Sequence, residues 1–393
     1  MKILRVTSLG YESGGAENGI VLTDAELRKS GHEVRTLASD VGKNNKTFFA
    51  DYTFPALSKK PFVRRMFCKM FYPTVYHELK KVLKDYKPDI VQVHTVHELS
   101  PAVFFALRGE KVVATVHGAE DYLEHLLTWA FPKDFFKENA EMFTKKYLNA
   151  RGKLHYFFNR CLVRPLYKIA LRNVSTFLVM SKFMQSALKD EGVDAVCIPN
   201  ATKLFPHTPV DVEGSNLLFV GRLEKIKGAQ FAIHALKDIV ERFPSTMLTI
   251  AGTGPYEQEL KSMTQELGVQ SHVNFVGHKT REEVHALYKE ATIVLLPSVW
   301  PEPFGKVGVE AMSVGRPVVA SDVGGIREWL GDVKGGYLIE PGSIEAIALT
   351  VETIFHNRNL LEQSSKDLHQ HAQNFSIEKY AERIQELYST LKK

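Results

Sequence analysis

The chain has 393 residues, 44% apolar and 24% charged, the balance of a globular protein with a buried core. At about 100 to 200 residues per domain this length implies two domains, and it excludes a disordered tail protein. No charge-free stretch reaches the ~18 apolar residues a membrane-spanning helix needs, and Arg5 interrupts an N-terminus that lacks the apolar core of a signal peptide.

The expected location is therefore the cytoplasm. Cys68, Cys161 and Cys197 are odd in number and widely spaced, which indicates neither a disulfide framework nor a zinc ribbon. Net charge is +5, yet residues 59–87 hold nine basic side chains against two acidic ones, so the rest of the chain is slightly negative. A local patch of this kind argues against nucleic acid as a partner and fits a local anionic one, such as a membrane surface.

In chain order, short β-branched runs at 3–8, 33–37, 90–94 and 111–117 alternate with helical patterns, the first opening after Gly15. The pattern restarts near Asn216, with strands at 217–220, 247–251, 273–276, 293–296 and 318–321 and helices at 229–242 and 256–267. Strand-helix alternation predicts parallel sheets covered by helices, here two doubly wound domains facing across a cleft lined by the carboxyl ends of their strands. Ile198-Pro199-Asn200 and the two prolines of Phe205-Pro206-His207-Thr208-Pro209 mark the linker, and 375–393 reads as a terminal helix.

Three loops carry candidate chemistry. Ser13-Gly14-Gly15 follows the first strand and opens a helix, a place for bare backbone to approach a phosphate or sugar oxygen, or simply for tight packing. In Gly221-Arg222-Leu223-Glu224-Lys225-Ile226-Lys227-Gly228, Arg222 and Lys227 can converge on one anion while Glu224 and Lys225 face solvent; a solvated basic loop is the alternative. In Pro301-Glu302-Pro303-Phe304-Gly305, the prolines hold Glu302 extended before a helix over 305–314, and Glu310 lies about one turn inside it. Glu302 can hold sugar hydroxyls beside the helix start, and Glu310 can accept from a ribose diol.

Together with Val116-His117-Gly118 and Gly252-Thr253-Gly254-Pro255, the spacing Glu302-x7-Glu310 resembles the retaining glycosyltransferases of family 4, which have the GT-B fold. The resemblance covers nearly the whole chain. It implies an acceptor-binding domain at 1–198, a nucleotide-sugar-binding domain at 206–374, and a terminal helix that packs back on the first. It assigns Arg222 and Lys227 to the donor diphosphate, Glu310 to the ribose and Glu302 to the donor sugar, with the amides of Phe304 and Gly305 nearby. Gly14 and Gly15 lie over the phosphates, His117 lies near the anomeric centre, and Gly254, Gly277 and His278 belong to the donor site. The family often reads Pro-Asn-Gly-Val-Asp where this chain has Pro199-Asn200-Ala201-Thr202-Lys203, so no catalytic role falls to that segment.

The activity implied is transfer of a sugar with retention from a UDP- or GDP-linked donor to a glycan or lipid-linked acceptor in cell-surface polysaccharide or glycolipid synthesis. No resident cofactor is expected. His94, His97 and His117 lack an acidic or thiol companion at ligand spacing, so no metal is expected either. The alternatives are a nucleotide-sugar epimerase of similar architecture and a non-catalytic sugar-nucleotide sensor.

Two further segments stand out. Over 62–71, Phe62, Val63, Met66, Phe67, Met70 and Phe71 fill one half of a helical wheel and Arg64, Arg65 and Lys69 the other. This is either a surface helix packed on its own sheet or one that lies on the inner face of an anionic membrane. The 130–167 stretch, rich in Phe, Tyr and Lys, reads as an insertion that shapes the acceptor site.

Overall fold

The computed structural model describes residues 1–12, 14–95, 97–118, 158–190 and 192–392; Ser13 and most of the 130–167 insertion lie outside the described residues. The chain forms two compact units, Met1–Pro199 with Ile377–Lys393, and Asn200–Ser376.

The first unit contains β1 (Lys2–Thr7), α1 (Gly15–Lys29), β2 (Glu33–Ser39), β3 (Tyr52–Phe54), α2 (Phe62–Met70), α3 (Pro73–Tyr86), β4 (Ile90–Val93), α4 (Ala102–Ala106), β5 (Val112–Thr115), α5 (Arg164–Ala170), β6 (Thr176–Val179), α6 (Lys182–Asp190) and β7 (Ala195–Cys197). Its parallel strands run β3-β2-β1-β4-β5-β6-β7. β4 and β5 are buried at every position, as strands covered on both faces must be. The order reverses between β1 and β4, which makes the carboxyl ends of these strands the natural ligand crevice of this sheet.

The second unit repeats the plan with β8 (Asn216–Val220), α7 (Ala229–Arg242), β9 (Met247–Ala251), α8 (Glu257–Glu266), β10 (Val273–Gly277), α9 (Arg281–Glu290), β11 (Ile293–Leu296), α10 (Lys306–Val314), β12 (Val318–Ser321), α11 (Arg327–Leu330), β13 (Gly336–Ile339), α12 (Ile344–His356) and α13 (Asn359–Ala372). Strand order is β10-β9-β8-β11-β12-β13, again all parallel, and it reverses between β8 and β11. α7 buries Ala232, Ile233, Ala235, Leu236 and Ile239 at helical spacing against Leu217, Leu248 and Ile293 of the sheet. α9 begins at a capping box in which Thr280 and Glu283 satisfy each other's backbone amides.

α14 (Ile377–Lys392) belongs to the first unit, where Ile384 and Tyr388 join Ile3 of β1 and Leu27 of α1 in one core. Tyr388 also meets Arg5, whose guanidinium lies under the sheet, paired with Asp24 at 2.7 Å.

The structure differs from the sequence reading at several points. β3, β6, β7 and β13 are additional strands of three or four residues, too short for an alternation to show. Residues 205–209 are not a free linker. Phe205 is 8% exposed and stacks on His285 of α9, with ring centroids 4.4 Å apart. The buried Arg316 donates to the carbonyls of Thr208 (2.9 Å), Pro209 (3.1 Å), Tyr288 (2.8 Å) and Lys289 (3.0 Å), sewing this segment onto the second unit. With no carboxylate among these partners, burial draws the Arg316 guanidinium down to about 10.

Candidate functional site

In the second unit the loops after β8 and β11 are stitched together. The 225–227 turn offers the Ile226 carbonyl to the amides of Val299 (2.9 Å) and Trp300 (3.3 Å). The turn leads into α7 through Gly228, whose φ of +80° and whose Cβ direction, 1.8 Å from the Pro297 carbonyl oxygen, admit no other residue without strain. This fixes Lys227 over the β11 loop. Its Nζ lies 2.6 Å from Glu302 Oε1, and the Ser298 hydroxyl lies 2.9 Å from the same oxygen.

Glu302 is 7% exposed, and its backbone is clamped by a glycine pair after β12. The Gly325 amide donates to the Glu302 carbonyl at 2.8 Å, and a Cβ on Gly324 would fall 2.2 Å from that carbonyl oxygen. A buried carboxylate with a lysine and a hydroxyl on one oxygen is a preorganised polar centre at the point where the sheet order reverses. Next to it, Phe304 is buried and its carbonyl accepts from the Trp329 indole, while Gly305, at φ +88°, starts α10.

Arg222 follows the same strand but stands apart from this pair. It is exposed, and its guanidinium is 2.9 Å from Glu224, so Glu224 is a partner of Arg222 rather than a solvated spacer. Lys225 lies over the Tyr256 ring at 5.2 Å. Gly254 has a packing reason of its own: a Cβ there would meet the Leu223 carbonyl oxygen at 2.3 Å, because the β9 loop lies directly on the β8 loop. Gly277 ends β10 at φ +70°, its carbonyl accepting from the Gly252 amide at 2.8 Å, and His278 beyond it is exposed.

Glu310, one turn into α10, already has partners. One oxygen accepts from Thr202 Oγ1 at 2.7 Å and lies 3.4 Å from Arg281, and the other accepts from the Tyr288 hydroxyl at 3.3 Å. Burial and the Glu310 charge push the Tyr288 phenol well above its usual value, so it stays a donor. Arg281 in turn lies 4.4 Å over the Phe205 ring. Thr202 belongs to the segment that departs from the family pattern, and neither its distance in sequence nor its residue type signals the contact.

In the first unit, Gly14 is the N-cap of α1 in an extended conformation, and a Cβ on Gly15 would meet nothing within 4 Å. Packing among the described residues therefore does not demand glycine at 15. His117 follows β5, and its Nε2 lies 3.0 Å from Nδ1 of His94, the residue after β4. Burial, and then the charge of Arg5, hold His94 well below the usual histidine value. Among the described residues no group of three or more His, Cys, Asp or Glu side chains is arranged to hold a metal ion.

Residues 200–388 match the family model described as glycosyl transferases group 1, and residues 13–204 match the model described as glycosyltransferase family 4. A phosphatidyl-myo-inositol mannosyltransferase of Mycobacterium leprae is 27% identical over 92% of this chain and 90% of its own length. An uncharacterized glycosyltransferase of Methanocaldococcus jannaschii is 40% identical over 35% of each chain. A D-inositol 3-phosphate glycosyltransferase of Corynebacterium efficiens is 32% identical over 46% of this chain and 44% of its own. The chain thus spans less than half the length of these last two relatives.

Among solved structures, sucrose-phosphate synthase from Thermosynechococcus elongatus superposes with a TM-score of 0.75 at 19% identity, over 100% of this chain and 99% of the other. The Anabaena protein HepE, in complex with UDP and glucose, gives 0.70 at 21% identity over 99% of both chains. These likenesses show the GT-B fold. With one family model matching each half and a shared plan of two parallel-sheet units, the chain belongs to the family 4 glycosyltransferases.

Proposed function

We propose that this chain transfers a sugar, with retention and without a metal ion, from a nucleoside-diphosphate donor to a glycan or lipid-linked acceptor. The observation that carries the reading is the Lys227–Glu302 pair, held by the loops after β8 and β11 at the place where such a sheet binds ligands. The complexes of HepE with UDP and with UDP-glucose support a nucleotide-sugar donor.

Breaking the bond between the anomeric carbon and the phosphate oxygen builds positive charge on the sugar and negative charge on the leaving diphosphate. Lys227 has three N–H groups, of which Glu302 takes one, so it can donate to a phosphate without losing its buried partner. Arg222 adds a second cation once it leaves Glu224, a partner that holds the exposed guanidinium weakly. The acceptor oxygen attacks from the face the phosphate leaves, and its proton passes to a departing phosphate oxygen. Glu302 thereby serves as a binder and as the support of Lys227, not as a nucleophile of the kind retaining hydrolases use. Glu310 takes the ribose hydroxyls, Gly14 and Gly15 the phosphates, and His117 the sugar undergoing reaction. The donor base is met near Gly277 and His278.

A lipid-linked acceptor is favoured by α2. None of its residues is fully buried, and Phe62, Val63, Phe67 and Phe71 are 50%, 62%, 61% and 41% exposed. Its basic neighbours suit an anionic bilayer and support a peripheral position on the inner face of a membrane. Among the described residues no helix is long and apolar enough to cross one.

A thermal-shift panel of UDP, GDP and their hexose conjugates tests the donor. At a hundredfold excess over Kd a ligand of the folded state adds about 2.7 kcal/mol, a readily measured rise in Tm. If no nucleotide raises Tm, the reading fails. Product analysis with and without acceptor separates transfer from epimerisation, and inert binding alone would indicate a sensor.

A further inference from the structure

We infer that His94 is a positioning residue for His117, an assignment that rests on the reading of His117 as part of the reacting site. The His94 amide donates to the Val6 carbonyl at 2.8 Å, which fixes its backbone beside the central strand, and the residue is 5% exposed. His117 stands at the end of the neighbouring strand and is partly exposed.

The two rings meet nitrogen to nitrogen. Nδ1 of His94 is 3.0 Å from Nε2 of His117, with planes 29° apart and centroids separated by 5.3 Å, as for two imidazoles pointing at one another rather than lying face to face. Such a contact holds one proton, so one ring donates and the other accepts. His94 is kept neutral by burial and by Arg5 beneath the sheet, and so retains one N–H and one lone pair. The tautomer of His94 therefore dictates that of a neutral His117, and with it whether the outer nitrogen of His117 presents a hydrogen or a lone pair to the sugar. The bond also aims the His117 ring. Holding the ring in advance preorganises the site.

A double-mutant cycle tests this. The rate is followed as nucleoside diphosphate released from the UDP- or GDP-linked hexose that the thermal-shift panel selects. His94→Leu is expected to lower turnover about ten- to hundredfold while the donor KM moves by less than about threefold. His94→Asn, whose amide nitrogen stands close to the place of Nδ1, recovers most of that loss. His94→Leu combined with His117→Ala is no slower than His117→Ala alone, within about twofold, because His94 acts only through His117. A nucleotide-induced rise in Tm that matches wild type shows that each variant is folded.

Independently of any substrate, ring-nitrogen NMR of labelled protein should find His117 in one tautomer in the wild type and in a mixture in His94→Leu. Losses that add in the double variant, or a His117 tautomer unchanged by His94→Leu, overturn the inference while leaving the role of His117 intact. A fully active His117→Ala removes the reading on which the inference rests, and the inference with it.

Discussion

Lys227 Nζ lies 2.6 Å from Glu302 Oε1 although the two residues are 75 positions apart, and the contact joins the loops after β8 and β11, neighbours at the reversal of strand order. Each residue solves a problem for the other. A carboxylate 7% exposed needs a cation, and a lysine on a flexible stem needs a fixed direction. The fold itself thus holds the pair, and in the function proposed above its positive end meets the charge that grows as the sugar-phosphate bond breaks.

Lys227→Ala and Arg222→Ala should lower turnover more than donor affinity, because charge on the diphosphate rises toward the transition state. Loss of a positioned donor of this kind costs about 2.7–4 kcal/mol, or about a hundred- to thousandfold in rate. The larger effect is expected at Lys227, which is fixed by Glu302, and the smaller at Arg222, which is exposed beside Glu224. Lys225→Ala is the matched control. Steady-state kinetics that show a crippled Lys225→Ala and a near-normal Lys227→Ala would place the diphosphate elsewhere.

Transfer should proceed in excess chelator, since the leaving group is to be stabilised by Arg222, Lys227 and helix N-termini. The check is the rate in EDTA, then after addition of magnesium or manganese. A rate that collapses and is restored by either ion refutes the proposal.

The exposed face of α2 should bind anionic vesicles at low salt and release them as salt rises, because the cations are screened. Phe67→Asp, at a position 61% exposed, removes apolar contact without touching a core and should shift the protein to the supernatant. Equal sedimentation with neutral and anionic vesicles, or none with either, counts against the membrane reading.

Stability should fall as pH drops from about 7 toward 5. Burial lowers the affinity of His94, His207 and His285 for protons in the folded state. Below the ordinary histidine value of about 6.5 the unfolded chain therefore takes up protons that the folded chain refuses, which favours unfolding by up to about 1.4 kcal/mol per pH unit for a histidine as buried as His94. Urea midpoints at pH 7.5, 6.5 and 5.5 give the slope, and His94→Asn should flatten it. A midpoint that holds steady across this range contradicts the assignment.

How much of the site could be read in the sequence depends on the range of each interaction. Glycines at strand-helix turns, the proline-flanked Glu302 and the basic loop at 222–227 are local patterns, visible because backbone freedom, ring constraints and charge act over a few residues. The support of the same groups is not local. Gly324 and Gly325 against Glu302, and Thr202 and Tyr288 on Glu310, reach their partners only because the parallel sheet brings together segments far apart in the chain. Arg316 is a further case: it looks like a surface cation after Gly315, yet it is fully buried and fastens four carbonyls.

By itself the sequence determined that two strand-helix series are present, where most of their longer elements lie, and that a half-apolar, half-basic helix occupies 62–71, since periodicity and composition are properties of contiguous residues. Tertiary structure decided the remainder. It showed that Phe62, Val63, Phe67 and Phe71 of that helix stay exposed, that Lys227 belongs to Glu302 while Arg222 belongs to Glu224, and that His94 meets His117. The reason is physical: which charges neutralise each other, and which faces stay exposed, follows from distances set by strand order and crossover connections, and residue spacing along the chain does not encode those distances.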